Sequence, residues 1–462
     1  MVRVVQLLFD RLALPLTMCQ TSIKARPGLT PLTGSTTLPR MMRSLFEKPA
    51  TRPATPSQWL ADSGGHYALS ALVGFLFACT GPVAIILATG ARGGLSESDI
   101  SSWIFGAFFL NGFFTIALSL IYRQPLVLLW SIPGAVLVGP ALTHLSYAEV
   151  IGAFLATGVL MLGLGVSGWV RRAMDAIPMP IVMAMVAGVF LRFGVDLVRA
   201  FREQLWIALP MTLVFVLLTA APRIGRALPP LVASLAVGAL AVWQLGAFKP
   251  PAGALFGMAH PNLYVPQFSW AAMFELVVPL AITVLAVQNG QGIAILRANG
   301  HQPPVNAITA ACGIGAIVTG LVGSVSTCLT GPVNALISSS GEKQRQYTAA
   351  VMVALLGIGF GLFAPFFTRL MLAMPPAFIA TLAGLAMLRV LQTAFVASFR
   401  DHSTLGALVC FLVTVADMPV FGIGAAFWGL VFGLLTTRVL ERPARTAAAA
   451  ATTPAAPPGS TK

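Results

Sequence analysis

Long apolar stretches separated by short polar connections dominate the chain, for example Ala68–Leu87, Ile151–Val170 and Ala349–Phe367. Each stretch is largely free of charge and close to the ~20 residues that a helix needs to cross the ~30 Å hydrocarbon core of a bilayer. The alternating ten-residue segments of an outer-membrane barrel do not occur. The pattern therefore predicts an all-α polytopic membrane protein.

We place about fourteen transmembrane segments between residues 59 and 440 from this pattern. The third, tenth and thirteenth are the least regular, because they are short or interrupted by Gly and Pro. The segments centre on Phe77, Phe109, Leu137, Val159, Val186, Val214, Ala236, Thr283, Ile314, Asn334, Leu356, Ala383, Val409 and Leu430.

Composition supports lipid as the solvent of this chain. Of its 462 residues, 57% are hydrophobic and only 9% are charged, whereas soluble domains carry about a quarter charged residues. The net charge of +14 does not indicate nucleic acid, since the basic residues lie in tails and connections and form no basic stripe with interleaved aromatics. The five cysteines form no CxxC or Cys/His cluster, so we expect neither a metal site nor a cofactor.

The two ends of the chain differ from the rest. Residues 1–58 are rich in Arg, Pro, Thr and Ser, and residues 441–462 in Ala, Pro and Thr, so both are predicted to be disordered tails. Both tails contain basic residues, and short basic connections favour the cytoplasm. We therefore expect a multi-pass protein of the bacterial inner membrane with both termini cytoplasmic. Whether translation starts at Met1 or at Met41 or Met42 is left open by the sequence.

The chain also contains a weak internal repeat. Ala84–Gly90 closes the first segment much as Ala294–Gly300 closes the eighth, with a Gly-Ala pair following at a similar offset in each half. Secondary transporters are often built from two such halves. Repeats at about 66–247 and 270–440 hold seven segments each, and an odd number predicts that the second half is inverted in the membrane. Chance similarity between Ala/Gly/Ile-rich runs is the alternative.

The third and tenth segments share one sequence pattern, a β-favouring run followed by Ser or Thr and then Pro. Serine is a good N-cap and proline fits the first turn of a helix, so each segment is predicted to be a short strand followed by a half-helix. Non-helical backbone at membrane depth survives only where it is buried in protein or lines a cavity. The N-termini of the half-helices carry partial positive charge, which predicts an anion site. Its residues are Ser131, Ile132, Pro133, Gly134, Thr327, Thr330, Gly331 and Asn334. The alternative is a proline kink in each of two continuous helices.

Three amides lie within four residues of the eighth segment, Gln288, Asn289 and Gln291. Amides are costly in hydrocarbon unless they have hydrogen-bond partners. Gln288 and Gln291 are three residues apart and are predicted to share a helix face. We expect all three to contribute to substrate binding, with structural hydrogen bonds between helices as the alternative.

The stretch from Gln288 to Pro304 resembles the signature region of the benzoate/proton symporter family, and the breaks Ser131–Gly134 and Thr330–Asn334 resemble that family's breaks. The likeness covers roughly Trp59–Leu440 and extends, more distantly, to nucleobase and sulfate permeases. The resemblance implies fourteen helices in two inverted repeats, a core domain and a gate domain, with substrate between the two broken segments. It also implies secondary active import of benzoate or a similar aromatic carboxylate, with the proton as coupling ion. The oligomeric state stays open, a homodimer included.

The proton site does not carry over from the nucleobase relatives. They often place a carboxylate in the eighth and tenth segments, where this sequence has Gln288 and Pro332 or Val333. Acidic residues at membrane depth are functional candidates by default. Glu275 and Asp417 are therefore the candidate proton-coupling residues, with a structural role as the alternative for each.

Two other functions compete with this interpretation. One is a carrier of the same fold for a nucleobase or an inorganic anion. The other is a membrane-embedded enzyme, because Gly165-Val166-Ser167-Gly168 matches the GxSG of an intramembrane serine protease. All five histidines fall near segment ends, where none is placed to activate that serine. Helix packing on small residues explains the motif better, so the chain is not predicted to be an enzyme.

Overall fold

The computed structural model describes residues 47–176, 178–221, 228–250, 255–338, 341–400 and 403–441. Most of both predicted tails lies outside these residues, and the tail and repeat boundaries stay predictions. In chain order the described elements are α1 (Pro56–Asp62), α2 (Gly65–Arg92), α3 (Glu97–Tyr122), β1 (Leu128–Trp130), α4 (Ile132–Ala141), α5 (Tyr147–Ser167), α6 (Val170–Ala176), α7 (Met179–Glu203), α8 (Leu205–Ala220), α9 (Pro230–Gln244), α10 (Trp270–Ala298), α11 (Val305–Gly320), β2 (Thr327–Leu329), α12 (Gly331–Ser338), α13 (Lys343–Leu362), α14 (Ala364–Leu372), α15 (Pro376–Ser398), α16 (Thr404–Ala416) and α17 (Ala425–Leu440).

Each of the fourteen predicted segment centres lies inside one of these helices. Seven helices of the described chain, α2, α3, α5, α7, α10, α13 and α15, are long and apolar enough to cross a membrane. Six more are apolar and 10–17 residues long. The third and tenth segments are broken as predicted, each into a three-residue strand and a short helix.

Equivalent helices of the two halves make equivalent contacts. The strands β1 and β2 pair with each other, and α7 packs along α15, its counterpart in the second half. The contact of α5 with α11 is matched by that of α13 with α3, and the contact of α8 with α9 by that of α16 with α17. The pairing of β1 with β2 is antiparallel. The fold thus has the architecture of two inverted repeats.

The helices form two groups around the strands. The ribbon bundle consists of α2–α5 and α10–α13, which pack around β1 and β2. The flanking bundle consists of α7–α9 and α15–α17, which pack mainly against one another. The two bundles meet along α2 with α15 and along α4 and α10 with α7.

Glycines bring α5 and α11 into backbone contact. A Cβ atom on Gly158 would lie 2.8 Å from the Gly313 carbonyl oxygen, and one on Gly313 would overlap the backbone nitrogen of Leu162. Gly165 of the GxSG motif packs equally closely on Ala310. The hydroxyl of the motif's serine donates to a carbonyl of its own helix at 3.0 Å. The motif therefore has the packing role expected of small residues in membrane helices.

Candidate substrate site at the two-stranded ribbon

The two short strands form a buried antiparallel ribbon at the centre of the ribbon bundle. The ladder continues at both ends, because the Ser131 N–H donates to the Ser326 carbonyl at 3.0 Å and the Thr330 N–H to the Val127 carbonyl at 3.1 Å. Protein thus provides the hydrogen bonds that lipid cannot offer to non-helical backbone. The facing pairs of the ribbon are Leu128 with Leu329, Leu129 with Cys328 and Trp130 with Thr327.

Side chains of α3 close one outer edge of the ribbon. The Thr115 hydroxyl accepts from the Leu128 N–H at 2.9 Å and lies 2.8 Å from the Leu128 carbonyl, to which it donates. Asn111 Oδ1 accepts from the Thr327 hydroxyl at 2.8 Å. Sequence reasoning missed these residues. The signal is present, since Asn111, Thr115 and Ser119 recur every four residues and form one polar stripe on the otherwise apolar second half of the helix.

Amides anchor the ribbon on the side of the second repeat. Asn334 Oδ1 accepts from the Val127 N–H at 3.0 Å, and its Nδ2 donates to the carbonyls of Val127 and Thr330 at 3.2 and 2.6 Å. Asn289 Oδ1 accepts from the Leu329 N–H at 2.8 Å. Three residues that the sequence predicts to bind substrate therefore have hydrogen-bond partners that hold the ribbon in place: Asn289, Thr327 and Asn334.

The half-helix α4 begins at Ser131 as the sequence predicts. Ser131 is buried and extended, and its Oγ accepts from the Gly134 N–H at 3.1 Å. Pro133 has no N–H, so the first turn leaves the N–H of Ile132 for a ligand. This N–H and the helix dipole place partial positive charge at the ribbon without a basic side chain.

The half-helix α12 begins after Thr330 at the other end of the ribbon. Pro332 again removes one donor from the first turn and leaves those of Gly331 and Val333. The start of α4 pairs with Ser326, and Thr330 lies four strand positions further along, which corresponds to ~13 Å. A carboxylate between the N-termini of α4 and α12 therefore lies in the electrostatic field of both helices but cannot contact both N-termini.

Gln288 and Gln291 differ in their surroundings. The backbone of α10 changes between them, from π-helical over Thr283–Asn289 to α-helical over Gly290–Ala298. Gln288 is buried, and its amide has no hydrogen-bond partner among the described residues. Gln291 is exposed and lies against Gly331, where a Cβ atom would be 2.6 Å from Gln291 Oε1. These two amides are the ones available to a ligand.

The candidate proton-coupling residues lie away from the ribbon. Glu275 is in the second turn of α10, thirteen residues before Gln288, and is buried with its Oε2 2.8 Å from His144 Nε2. Asp417 follows the end of α16 and forms an ion pair with Arg192 at 2.8 Å. Both residues line one cavity between the ribbon bundle and the flanking bundle.

Inverted repeats with spanning helices and a ribbon formed by two broken segments define a membrane transporter. The chain belongs to the benzoate membrane transport protein family (BenE), whose model matches residues 66–439. It is 32% identical over 371 residues to the inner membrane protein YdcO of Escherichia coli, covering 78% of this chain and 93% of that protein. It is 27% identical over 383 residues to the benzoate membrane transport protein of Acinetobacter baylyi, covering 81% and 95%. The protein is a multi-pass transporter of the inner membrane.

Solved structures share the fold at low sequence identity. The transmembrane domain of a cyanobacterial bicarbonate transporter, BicA, superposes with a TM-score of 0.56 at 14% identity, covering 83% of this chain and 99% of that domain. The anion transporter SLC26A9 superposes with a TM-score of 0.57 at 13% identity, covering 83% and 67%. The architecture of this chain is therefore that of the SLC26 and BicA transmembrane domains.

Proposed function

We propose that this protein imports benzoate or a similar aromatic carboxylate across the inner membrane by proton symport. The observation that supports the proposal best is the pair of half-helix N-termini at the ends of one buried ribbon, in a chain of the benzoate transport family. Neither break contains Lys or Arg, so backbone N–H groups and amides provide the positive field for an anion.

The substrate site we propose has a polar and an apolar part. The carboxylate accepts hydrogen bonds from the first turn of α4 or α12 and from Gln288 and Gln291. The aromatic ring packs on the apolar side chains around the ribbon, which a carboxylate without a ring cannot do. The residues that shape the two first turns are Ser131, Ile132, Pro133, Gly134, Thr330 and Gly331, and those that hold the ribbon are Thr327, Asn289 and Asn334.

Both termini are proposed to be cytoplasmic, because the basic tails favour that side. Arg92, Arg192 and Glu275 then lie toward the periplasm. A reporter fused after Lys462 should be active in the cytoplasm, and periplasmic activity would refute this orientation.

Proton-driven uptake should be measurable with the purified protein in liposomes. With an inward proton gradient, labelled benzoate should accumulate, and an uncoupler should abolish the accumulation. Benzamide is the matched competitor, since it keeps the ring and the shape but lacks the charge. We expect benzamide to compete at least about tenfold more weakly, a difference of ~1.4 kcal/mol. Accumulation that ignores the uncoupler would disprove symport, and equal competition would indicate a neutral substrate.

Replacing Gln288 by Leu should weaken benzoate binding. None of the hydrogen bonds between described residues involves the Gln288 amide, so the substitution removes a donor for the substrate and leaves no described protein group unpaired. Hydrogen bonds to charged groups contribute about 1.5–3 kcal/mol, so we expect affinity to fall about tenfold or more. Isothermal titration of the folded variant measures this change. Affinity equal to that of the unmodified protein would show that Gln288 has a purely structural role.

A further inference from the structure

A cavity of about 270 Å³ lies between the ribbon bundle and the flanking bundle, along the C-terminal half of α4. Apolar side chains, among them Val136, Leu137 and Phe193, form much of its wall. An apolar wall with a few charged groups is the composition expected of a site for an amphipathic small molecule. Five charged side chains also line the cavity: Arg92, Arg192, Arg199, Glu275 and Asp417.

The ion pairs of the cavity leave one guanidinium charge in excess. Arg92 and Arg199 share a single carboxylate, that of Asp196, at 2.6 and 3.4 Å. Arg192 pairs with the Asp417 carboxylate at 2.8 Å. These three arginines therefore pair with only two carboxylates, those of Asp196 and Asp417. With His144 neutral, protonation of a third carboxylate, that of Glu275 on α10, changes the net charge of the whole group from zero to +1.

The third carboxylate, that of Glu275, contacts both bundles, so its protonation changes contacts in each of them. Its side chain is buried, and its carboxylate contacts His144, which follows α4, and Gly424, the N-cap of α17. The other acidic groups near this pair are Asp417, which follows α16, and Glu149, from α5. The carboxylate of Glu275 thus bridges an element of the ribbon bundle and an element of the flanking bundle.

We propose that Glu275 takes up the cotransported proton and that this cavity is the first binding site of the carboxylate substrate. The inference rests on the proposed symport of an aromatic carboxylate and assigns its proton site. With Glu275 ionised, the excess guanidinium charge is cancelled and the cavity does not attract an anion. A proton from the periplasm on Glu275 restores the charge, and one carboxylate then binds among the arginines.

Linkage makes this coupling reciprocal. If protonation of Glu275 strengthens binding of the anion by some factor, the bound anion strengthens binding of the proton by the same factor. One proton and one carboxylate enter together, so the loaded cavity has the same net charge as the empty one. The ring packs on the apolar wall while the carboxylate faces Arg192 and Arg92.

The variant Glu275→Gln tests the assignment because it keeps an acceptor for His144 and removes the one carboxyl group that the proposal protonates. Benzoate affinity of the unmodified protein should fall as pH rises from 5.5 to 8, by about tenfold or more. The variant should bind at pH 8 about as tightly as the unmodified protein binds at pH 5.5, and its accumulation ratio in proteoliposomes should drop to one. Glu97→Gln is the matched control, since Glu97 pairs with Arg369 at 2.6 Å outside this cavity.

Proton uptake by the unmodified protein keeps the proposal testable even if Glu275→Gln does not fold. Adding benzoate to the protein in weakly buffered detergent should take up about one proton per benzoate bound. No proton uptake, or a folded Glu275→Gln variant with unchanged pH dependence, would overturn the assignment. If the unmodified protein neither binds nor accumulates benzoate, the proposed function itself fails, and the two failures are thereby distinguished.

Discussion

Replacing Asn334 by Leu should abolish uptake and sharply lower the thermal stability of the protein. The substitution removes two hydrogen bonds to Val127 and one to Thr330 at the start of α12, and it leaves the buried Val127 N–H without a partner. Lost hydrogen bonds cost about 0.5–1.5 kcal/mol each, and a buried unpaired donor about 1–3 kcal/mol. The expected loss is therefore several kcal/mol, which Tm in detergent and uptake in proteoliposomes would register.

Asn299→Leu is the matched control for this variant. The Asn299 amide donates to the Ile295 carbonyl of its own helix at 2.9 Å, but the side chain is exposed, so water replaces that bond. We expect its Tm to stay close to that of the unmodified protein. An Asn334→Leu variant as stable and active as Asn299→Leu would mean that the ribbon does not depend on Asn334.

Replacing Gly158 by Val should prevent α5 from packing against α11. A Cβ atom at this position would lie 2.7 Å from Ile317 Cγ1 and 2.8 Å from the Gly313 carbonyl oxygen. Overpacking costs about 1–3 kcal/mol and occasionally more, and a backbone atom cannot move aside as a side-chain end can. We expect a loss of folded protein, measured as the monodisperse fraction after extraction and as Tm.

Gly163→Val in the same helix is the control. Apart from the adjoining backbone of its own helix, no described atom lies within 4 Å of a Cβ built on Gly163, so the larger side chain meets open space. Its helix propensity changes in the same direction as in Gly158→Val, so any difference between the two variants reports packing alone. Equal stability of the two would contradict the close contact of α5 and α11.

The sequence is most informative where local rules determine structure. Ser131 and Pro133 specify a cap and a first turn, and the break that they predict is present, as is the one before Pro332. Local sequence rules cannot predict the register of the ribbon, because the pairing of Trp130 with Thr327 joins residues that are far apart in the chain. The internal repeat, and the Ser or Thr followed by Pro that both breaks share, indicate that the two breaks belong together.

The amides of α10 show where the sequence rules fail. Spacing in an ideal α-helix predicts one shared face for Gln288 and Gln291, but Gln288 is buried and Gln291, just beyond the π-helical segment, is exposed. The sequence also predicts substrate binding by Asn289 and Asn334 as polar groups at membrane depth, and the ribbon occupies their hydrogen-bonding groups. A polar residue in an apolar segment indicates that it has a partner, without indicating whether that partner is protein or ligand.

The charged cavity likewise does not follow from the sequence. Arg92 and Arg192 are basic residues near segment ends, and their partners Asp196 and Asp417 are 104 and 225 residues away. Glu275 is recognisable as an acid near membrane depth, but its histidine partner lies 131 residues earlier in the chain. Pairs at such separations follow from how helices pack, which composition and periodicity do not specify.

The antiparallel ribbon also sets an order of events during biosynthesis. The backbone groups on the inner edge of β1 pair with β2, which lies about 200 residues later in the chain. At roughly 5–20 residues per second, a ribosome needs about 10–40 s to reach β2 after completing β1. Throughout that interval the first half is in the membrane with unpaired strand backbone, which lipid cannot satisfy. The nascent first repeat therefore has to be sheltered, by the insertion machinery or by water held at the break, until the second repeat arrives.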